Sequence, residues 1–176
     1  MQALRMSTVE KNDLAIAIRA IGEELASAET NQSPPKFEVV VEGTPRNLHP
    51  ILRDEVYRIS AEALRNAFRH AQAHQIEVEL RYDDRDFTVR IRDNGRGVNR
   101  EVLRGDGHEG HYGLHGMRER AKLVGGELAI WSEVDSGTEV ELSIPASRAY
   151  TKSPRRFWLF QKLSKKDPDM KEKVEP

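Results

Sequence analysis

The 176-residue chain contains no cysteine, which excludes disulfides, thiolate nucleophiles and the cysteine-based zinc clusters. No stretch approaches the roughly 18 consecutive apolar residues that a membrane-spanning helix needs, and the first residues do not form a signal-peptide pattern. A cytoplasmic setting is therefore expected for this domain. Charge of one sign is also missing: the formal net charge is −1. No global field draws in nucleic acid or anionic lipid, and neither is an expected partner. There is no internal repeat. With 38% hydrophobic and 32% charged residues, the chain reads as one globular domain with tails.

Residues 9–28 carry Leu14, Ile18, Ile21 and Leu25 at helical spacing, and residues 31–35, Asn-Gln-Ser-Pro-Pro, break that helix. A short strand at 37–41 follows. Leu48-His49-Pro50 then leads into a helix expected to end near His74. His49 precedes proline at a helix start and is read as structural. Residues 76–82 and 87–92 alternate apolar with polar about a turn at 83–86, as a hairpin with one buried face does. A glycine-rich polar loop spans 98–112, a helix runs from 113 to 124, and Gly125-Gly126 stops it. A second hairpin, 127–133 and 138–144, ends at Pro145. Beyond residue 147 basic residues surround Phe157, Trp158, Leu159, Phe160 and Leu163, a segment suited to packing or to a linker. The expected divisions are an N-terminal helix (1–33), a folded domain (34–147) and a C-terminal tail (148–176).

The helix after Pro50 carries two stripes. Val56, Ile59, Ala63, Ala67 and Ala71 form the apolar one, and Glu62, Asn66 and Arg69 run beside it. A carboxylate can take a proton, a carboxamide oxygen can ligate a hard cation, and a guanidinium can neutralise phosphate. Together they suit a magnesium–nucleotide site, although Glu62 and Asn66 would serve equally as a surface hydrogen-bonded pair. Asp93-Asn94-Gly95-Arg96-Gly97 closes a strand. Glycine there admits a flat ligand, and Asp93 can accept a hydrogen bond from an exocyclic amine such as that of adenine. Tight turns use the same residues, as do calcium loops, but no glutamate follows at EF-hand spacing. Gly113-Leu114-His115-Gly116 opens a helix whose free amides favour phosphate. Neither a Walker loop nor a dinucleotide fingerprint is present. His108 and His111 flank Glu109 in the loop, too few ligands for structural zinc.

Taken together, Glu62-x-x-x-Asn66-x-x-Arg69-His70, Asp93-x-Gly95-x-Gly97, Gly113-Leu114-x-Gly116-Met117-Arg118-Glu119-Arg120 and Gly137-Thr138 resemble the four nucleotide-binding boxes of the GHKL ATPase superfamily. That superfamily includes histidine kinases, gyrase, Hsp90 and MutL. The wording is most similar to the catalytic domains of bacterial two-component sensor histidine kinases of the nitrate-sensor-like type, over residues 37–145. The resemblance implies an α+β fold, a two-layer sandwich of a mixed, mostly antiparallel sheet on about three helices.

It also implies ATP and Mg2+ as ligands. Asn66 would hold magnesium, Glu62 would be the catalytic base or a partner of metal-bound water, and Arg69 would touch phosphate. His70 and Val98 would complete the ATP-binding set. Asp93 would read adenine, with Gly95 and Gly97 shaping its pocket and Thr138 supporting it. Residues 98–112 would form a lid. Gly113, Leu114 and Gly116 would line the phosphates, with His115 a further candidate there. The spacing Gly110-His111-Tyr112-Gly113 carries one residue more than many relatives have. The implied reaction moves the ATP γ-phosphoryl to a histidine on a dimerisation domain, then to an aspartate of a response regulator. No histidine precedes His49, so the acceptor is expected on a separate part of a larger kinase, with residues 1–33 as the connection. A parent anchored in the inner membrane is compatible with this arrangement, with no direct membrane contact expected of this domain. Two alternatives on the same fold are a nucleotide-gated interaction module and an anti-sigma-type serine kinase.

Overall fold

A computed structural model describes residues 13–28, 34–98 and 112–151. Most of the expected lid, all of the tail from residue 152, and both lid histidines lie outside these residues.

Helix α1 (Asp13–Ala28) buries Leu14 and Ile18 in the core, and Ile21 and Leu25 extend that stripe. Arg19 Nη2 donates to the Val39 carbonyl at 3.1 Å, and Gly22 leaves room for the Phe37 ring. The helix is thereby tied to strand β1 (Lys36–Gly43) and packs on the central helix α2 (Pro50–His70). His49 adopts the extended geometry that a following proline imposes, with Pro50 in the first turn. Helix α2 stops at His70 rather than near His74, because Gln72 takes a left-handed φ of 54° that no helix can continue through.

Strands β2 (Gln75–Tyr82) and β3 (Asp86–Asp93) form the first hairpin. Helix α3 (Tyr112–Leu123) then leads to β4 (Glu127–Glu133) and β5 (Gly137–Pro145). Helix α3 closes in a Schellman motif: Gly126 N–H bonds the Ala121 carbonyl and Gly125 N–H that of Lys122, both at 2.9 Å. The sheet order is β1-β2-β3-β5-β4. The β1–β2 pair is parallel, with α2 as its crossover, and the other pairs are antiparallel.

The expected two-layer α+β sandwich is therefore present, with a mixed sheet under three principal helices. Ile76, Val78, Leu80, Val89, Ile91, Val140, Leu142 and Ile144 are buried toward the helices. On the opposite face Arg90 is held by Glu141 at 2.6 Å and Glu79 at 3.4 Å, and Arg92 pairs with Glu139. Such cross-strand pairs fix register without adding much energy.

Packing continues past residue 147. The short helix α4 (Ala146–Ala149) buries Ala149 completely. The Tyr150 hydroxyl lies 3.0 Å from the Asp83 carbonyl and 3.1 Å from that of Asp86. Thr151 N–H donates to the Asn47 carbonyl at 2.9 Å.

Candidate nucleotide site

A cavity of about 380 Å³ opens between α2, α3 and the ends of β3 and β5. Helix α2 contributes Glu62, Asn66 and His70, each four residues after the last and so on one flank, with Ala63 and Ala67 beside them as a flat floor. The sheet contributes Ile91 and Asp93 from β3, Ile130 from β4, and Thr138 and Val140 from β5. Pairing dictates this grouping, since Asp93 lies opposite Thr138 and Ile91 opposite Val140. Gly113, Leu114 and Met117 close the wall from α3.

The loop after β3 is built to stay still. Asn94 Oδ1 accepts from the His74 and Gln75 amides, both at 2.9 Å. Arg96 N–H donates to the Ala71 carbonyl at 2.8 Å. Val98 N–H donates to Ser132 Oγ at 2.8 Å, and that hydroxyl lies 2.9 Å from Thr138 Oγ1. Gly97 has a φ of 60°, and a Cβ there would strike the Glu133 carbonyl. Only glycine meets both demands. Gly95 is packed against Ala71 in the same way, so it backs the cavity rather than lining it.

Asp93 is half-buried, and loss of water raises its pKa above the ordinary carboxylate value. Hydrogen bonds from the backbone of Gly95 and Thr138 pull the other way. The Gly95 N–H reaches Asp93 Oδ1 at 2.9 Å. Glu62 is held differently. Arg65 Nη1 donates to its Oε2 at 2.7 Å, and its other oxygen lies so near Gly113 that any Cβ there would collide with it. Asn66 has no hydrogen-bond partner among the described residues, which leaves its carboxamide oxygen available in the cavity wall.

These contacts also give the cavity a direction. The Asp93 loop meets α2 at Ala71, whereas Gly113 meets it at Glu62. Ala71, the C-cap of α2, lies nine positions after Glu62, a rise of about 13.5 Å at 1.5 Å per residue. At one end an acidic acceptor sits beside apolar walls suited to a flat heterocycle. At the other, an amide, a carboxylate and the start of a helix are placed for an anionic, metal-bearing group.

Of the residues singled out in the sequence, Glu62, Asn66, His70, Asp93, Gly97, Val98, Gly113, Leu114 and Thr138 line this one cavity. Arg69 and His115 do not; both are exposed. Gly116 lines a neighbouring groove instead. Sequence reading passed over Arg96, which lines the cavity, although it stands inside the glycine motif. It also passed over Ser132, which ties Val98 to Thr138 and is marked by nothing except its place in an alternating strand. Among the described residues no group of three or more His, Asp or Glu side chains could cage a metal.

The family model described as histidine kinase-, DNA gyrase B-, and HSP90-like ATPase matches residues 52–148. That is more than half of the chain, and the chain belongs to this ATPase family. Among curated proteins it is 38% identical over 97 residues to the sensor protein VraS of Staphylococcus aureus (strain COL), covering 55% of this chain and 27% of that protein. The VraS of Staphylococcus haemolyticus is 39% identical over 98 residues with the same coverage. The chain thus spans about a quarter of the length of these sensor proteins. Among solved structures, the histidine kinase domain of the Erythrobacter litoralis EL346 blue-light activated histidine kinase superposes with a TM-score of 0.58. It is 21% identical, and the match covers 77% of this chain and 62% of that one, a likeness of fold.

Proposed function

We propose that this chain is the ATP-binding catalytic domain of a sensor histidine kinase, acting on a histidine carried by a dimerisation domain. The observation that carries the reading is the convergence of Glu62, Asn66, Asp93, Gly113 and Thr138, from four separate segments, on one cavity. In this reading Asp93 accepts the adenine amino group, and Thr138 and Gly97 hold that end of the pocket in shape. Ile91, Met117, Ile130 and Val140 exclude water from the ring faces. Asn66 supplies one oxygen to magnesium, which prefers to keep waters and phosphate oxygens as its remaining ligands. When bound, the metal neutralises charge on the phosphate oxygens.

Most of the chemistry in such a transfer is positioning and charge stabilisation. A nitrogen–phosphorus bond forms as the bond from the γ-phosphorus to the bridging oxygen breaks, and the electron pair departs with ADP. The proton of the acceptor imidazole leaves to a base, the role this reading gives to Glu62. The phosphoryl group then passes to an aspartate of a response regulator. The chain's relatives are sensor proteins, in keeping with a place in a signalling relay, and in this reading the parent is anchored in a membrane. Among the described residues no helix is long and apolar enough to cross one.

The test mixes the chain with labelled ATP and a separate dimerisation domain. Acid-labile label on the acceptor histidine is expected, at a rate reduced by the loss of covalent tethering. ATP binding without any labelling, even at high acceptor concentration, would favour a nucleotide-gated interaction module.

A further inference from the structure

Behind the wall formed by Glu62 lies a second depression, a groove of about 410 Å³ between α2 and α3. It shares Glu62, Gly113 and Met117 with the nucleotide cavity, so a single layer of side chains separates the two. Three guanidiniums line it, those of Arg58, Arg65 and Arg120. Two are fixed by carboxylates: Arg65 by Glu62 at 2.7 Å and Arg120 by Glu55 at 2.8 Å. Arg58 is exposed and has no carboxylate partner among the described residues. Gly116 leaves the α3 side bare, since a Cβ added there meets nothing within 4 Å.

Helical geometry explains why the groove and the cavity carry different chemistry. At about 100° per residue, Ala63, Asn66, Ala67 and His70 fall on one side of Glu62, and Arg58, Ala61 and Arg65 fall on the other. Glu62 therefore stands on the ridge between a nucleotide-sized cavity and a cationic groove.

We propose that this groove is the docking surface for the second reactant, and that it takes a protein segment bearing carboxylates. The inference rests on the proposed phosphoryl transfer. An in-line displacement needs the acceptor to approach the phosphate end from outside the nucleotide cavity, and the groove abuts that end at Glu62 and Gly113. The excess of guanidinium over carboxylate selects an acidic segment, mainly by steering and register. The two fixed arginines are ordered in advance, which lowers the entropy lost on docking.

The test uses the full chain loaded with a non-hydrolysable ATP analogue. Its probes are two labelled helical peptides, each with one histidine: one carries four flanking glutamates and its twin carries glutamines instead. Fluorescence anisotropy at low salt is expected to show the acidic peptide binding about tenfold more tightly than the twin, a preference lost at high salt. Arg58→Glu is expected to abolish the preference, whereas Arg92→Glu, on the opposite face of the sheet, keeps it. Analogue affinity in Arg58→Glu should match the wild type, since Arg58 does not line the nucleotide cavity. Equal binding of the two peptides, no binding of either, or an acidic-peptide affinity indifferent to Arg58→Glu would overturn the docking surface and leave nucleotide binding intact. Failure of the wild type to bind the analogue would instead remove the proposed function.

Discussion

The β2–β3 hairpin has two ends, and they are built in different ways. At the turn, the rings of Tyr82 and Phe87 lie 5.0 Å apart, and Tyr150 stacks on Tyr82 at 6.4 Å. Arg46 lies 3.8 Å over the Tyr150 ring, and the Tyr150 hydroxyl satisfies two turn carbonyls. Among the described residues, two groups are left over at this end, the Tyr82 hydroxyl and Arg81 Nε, both buried without a partner. Burial, with Tyr150 beside it, pushes the Tyr82 pKa up to about 12. At the other end Asp93 is kept half-dry, Asn66 is left unpaired, and Gly97 is held at a positive φ. One end is built mainly from stacked rings, with two polar atoms sealed among them. The other holds polar groups with hydrogen-bonding capacity to spare in fixed positions, an arrangement that lowers stability and prepares a ligand site.

The comparison breaks most visibly if the turn end is emptied. Phe87 is fully buried, and Phe87→Ala is expected to cost about 3–5 kcal/mol of stability, read by urea unfolding. Where the variant stays folded, its ATP affinity should change by no more than about twofold, as expected of distant sites. A large loss of affinity in folded protein would mean that the two ends are coupled.

Asn66→Ala works the other way. Stability should hardly move, while affinity for magnesium–ATP should fall about 10- to 100-fold, the cost of a hydrogen bond or ligand to a charged group. Adenosine has no phosphate, so its binding should be untouched. A parallel fall in both would make Asn66 a structural residue.

The smallest effect is in the pH dependence. Because the Asp93 pKa is raised in the folded state by burial, the neutral form is favoured on folding. Its contribution to stability is full below the unfolded-state pKa and is lost as pH rises through the folded one. Amine recognition needs the opposite form. Nucleotide affinity should therefore decline on acidification from a higher pH than the ordinary aspartate value of about 3.9 would give. Calorimetry across mildly acidic pH, with Asp93→Asn as a pH-insensitive reference, measures this difference.

Much of this was legible in the sequence because the informative residues are tied to the backbone by short-range rules. Alternation gave both hairpins, Pro50 and Gly125-Gly126 gave helix ends, and the glycine motif after β3 gave the loop. The family match bears out the ATPase reading drawn from the four boxes. What was not legible depends on three-dimensional placement. Nothing local marks Ser132 as the link between Val98 and Thr138, because that link joins strands distant in sequence. Arg69 shares a helical stripe with Glu62 and Asn66, yet the cavity curves toward Ala63 and Ala67 and leaves Arg69 outside it. Gln72 ended α2 without the glycine that usually signals such a stop.

Titration calorimetry of the wild type and Asp93→Ala with ATP and with GTP tests the nucleotide site most directly. Guanine presents a carbonyl where adenine presents an amine, so a site built around the Asp93 acceptor should prefer ATP by at least about 100-fold. Asp93→Ala should lose ATP binding with its unfolding midpoint preserved. Equal binding of ATP and GTP by the wild type, or undiminished ATP binding by folded Asp93→Ala, would contradict the assignment.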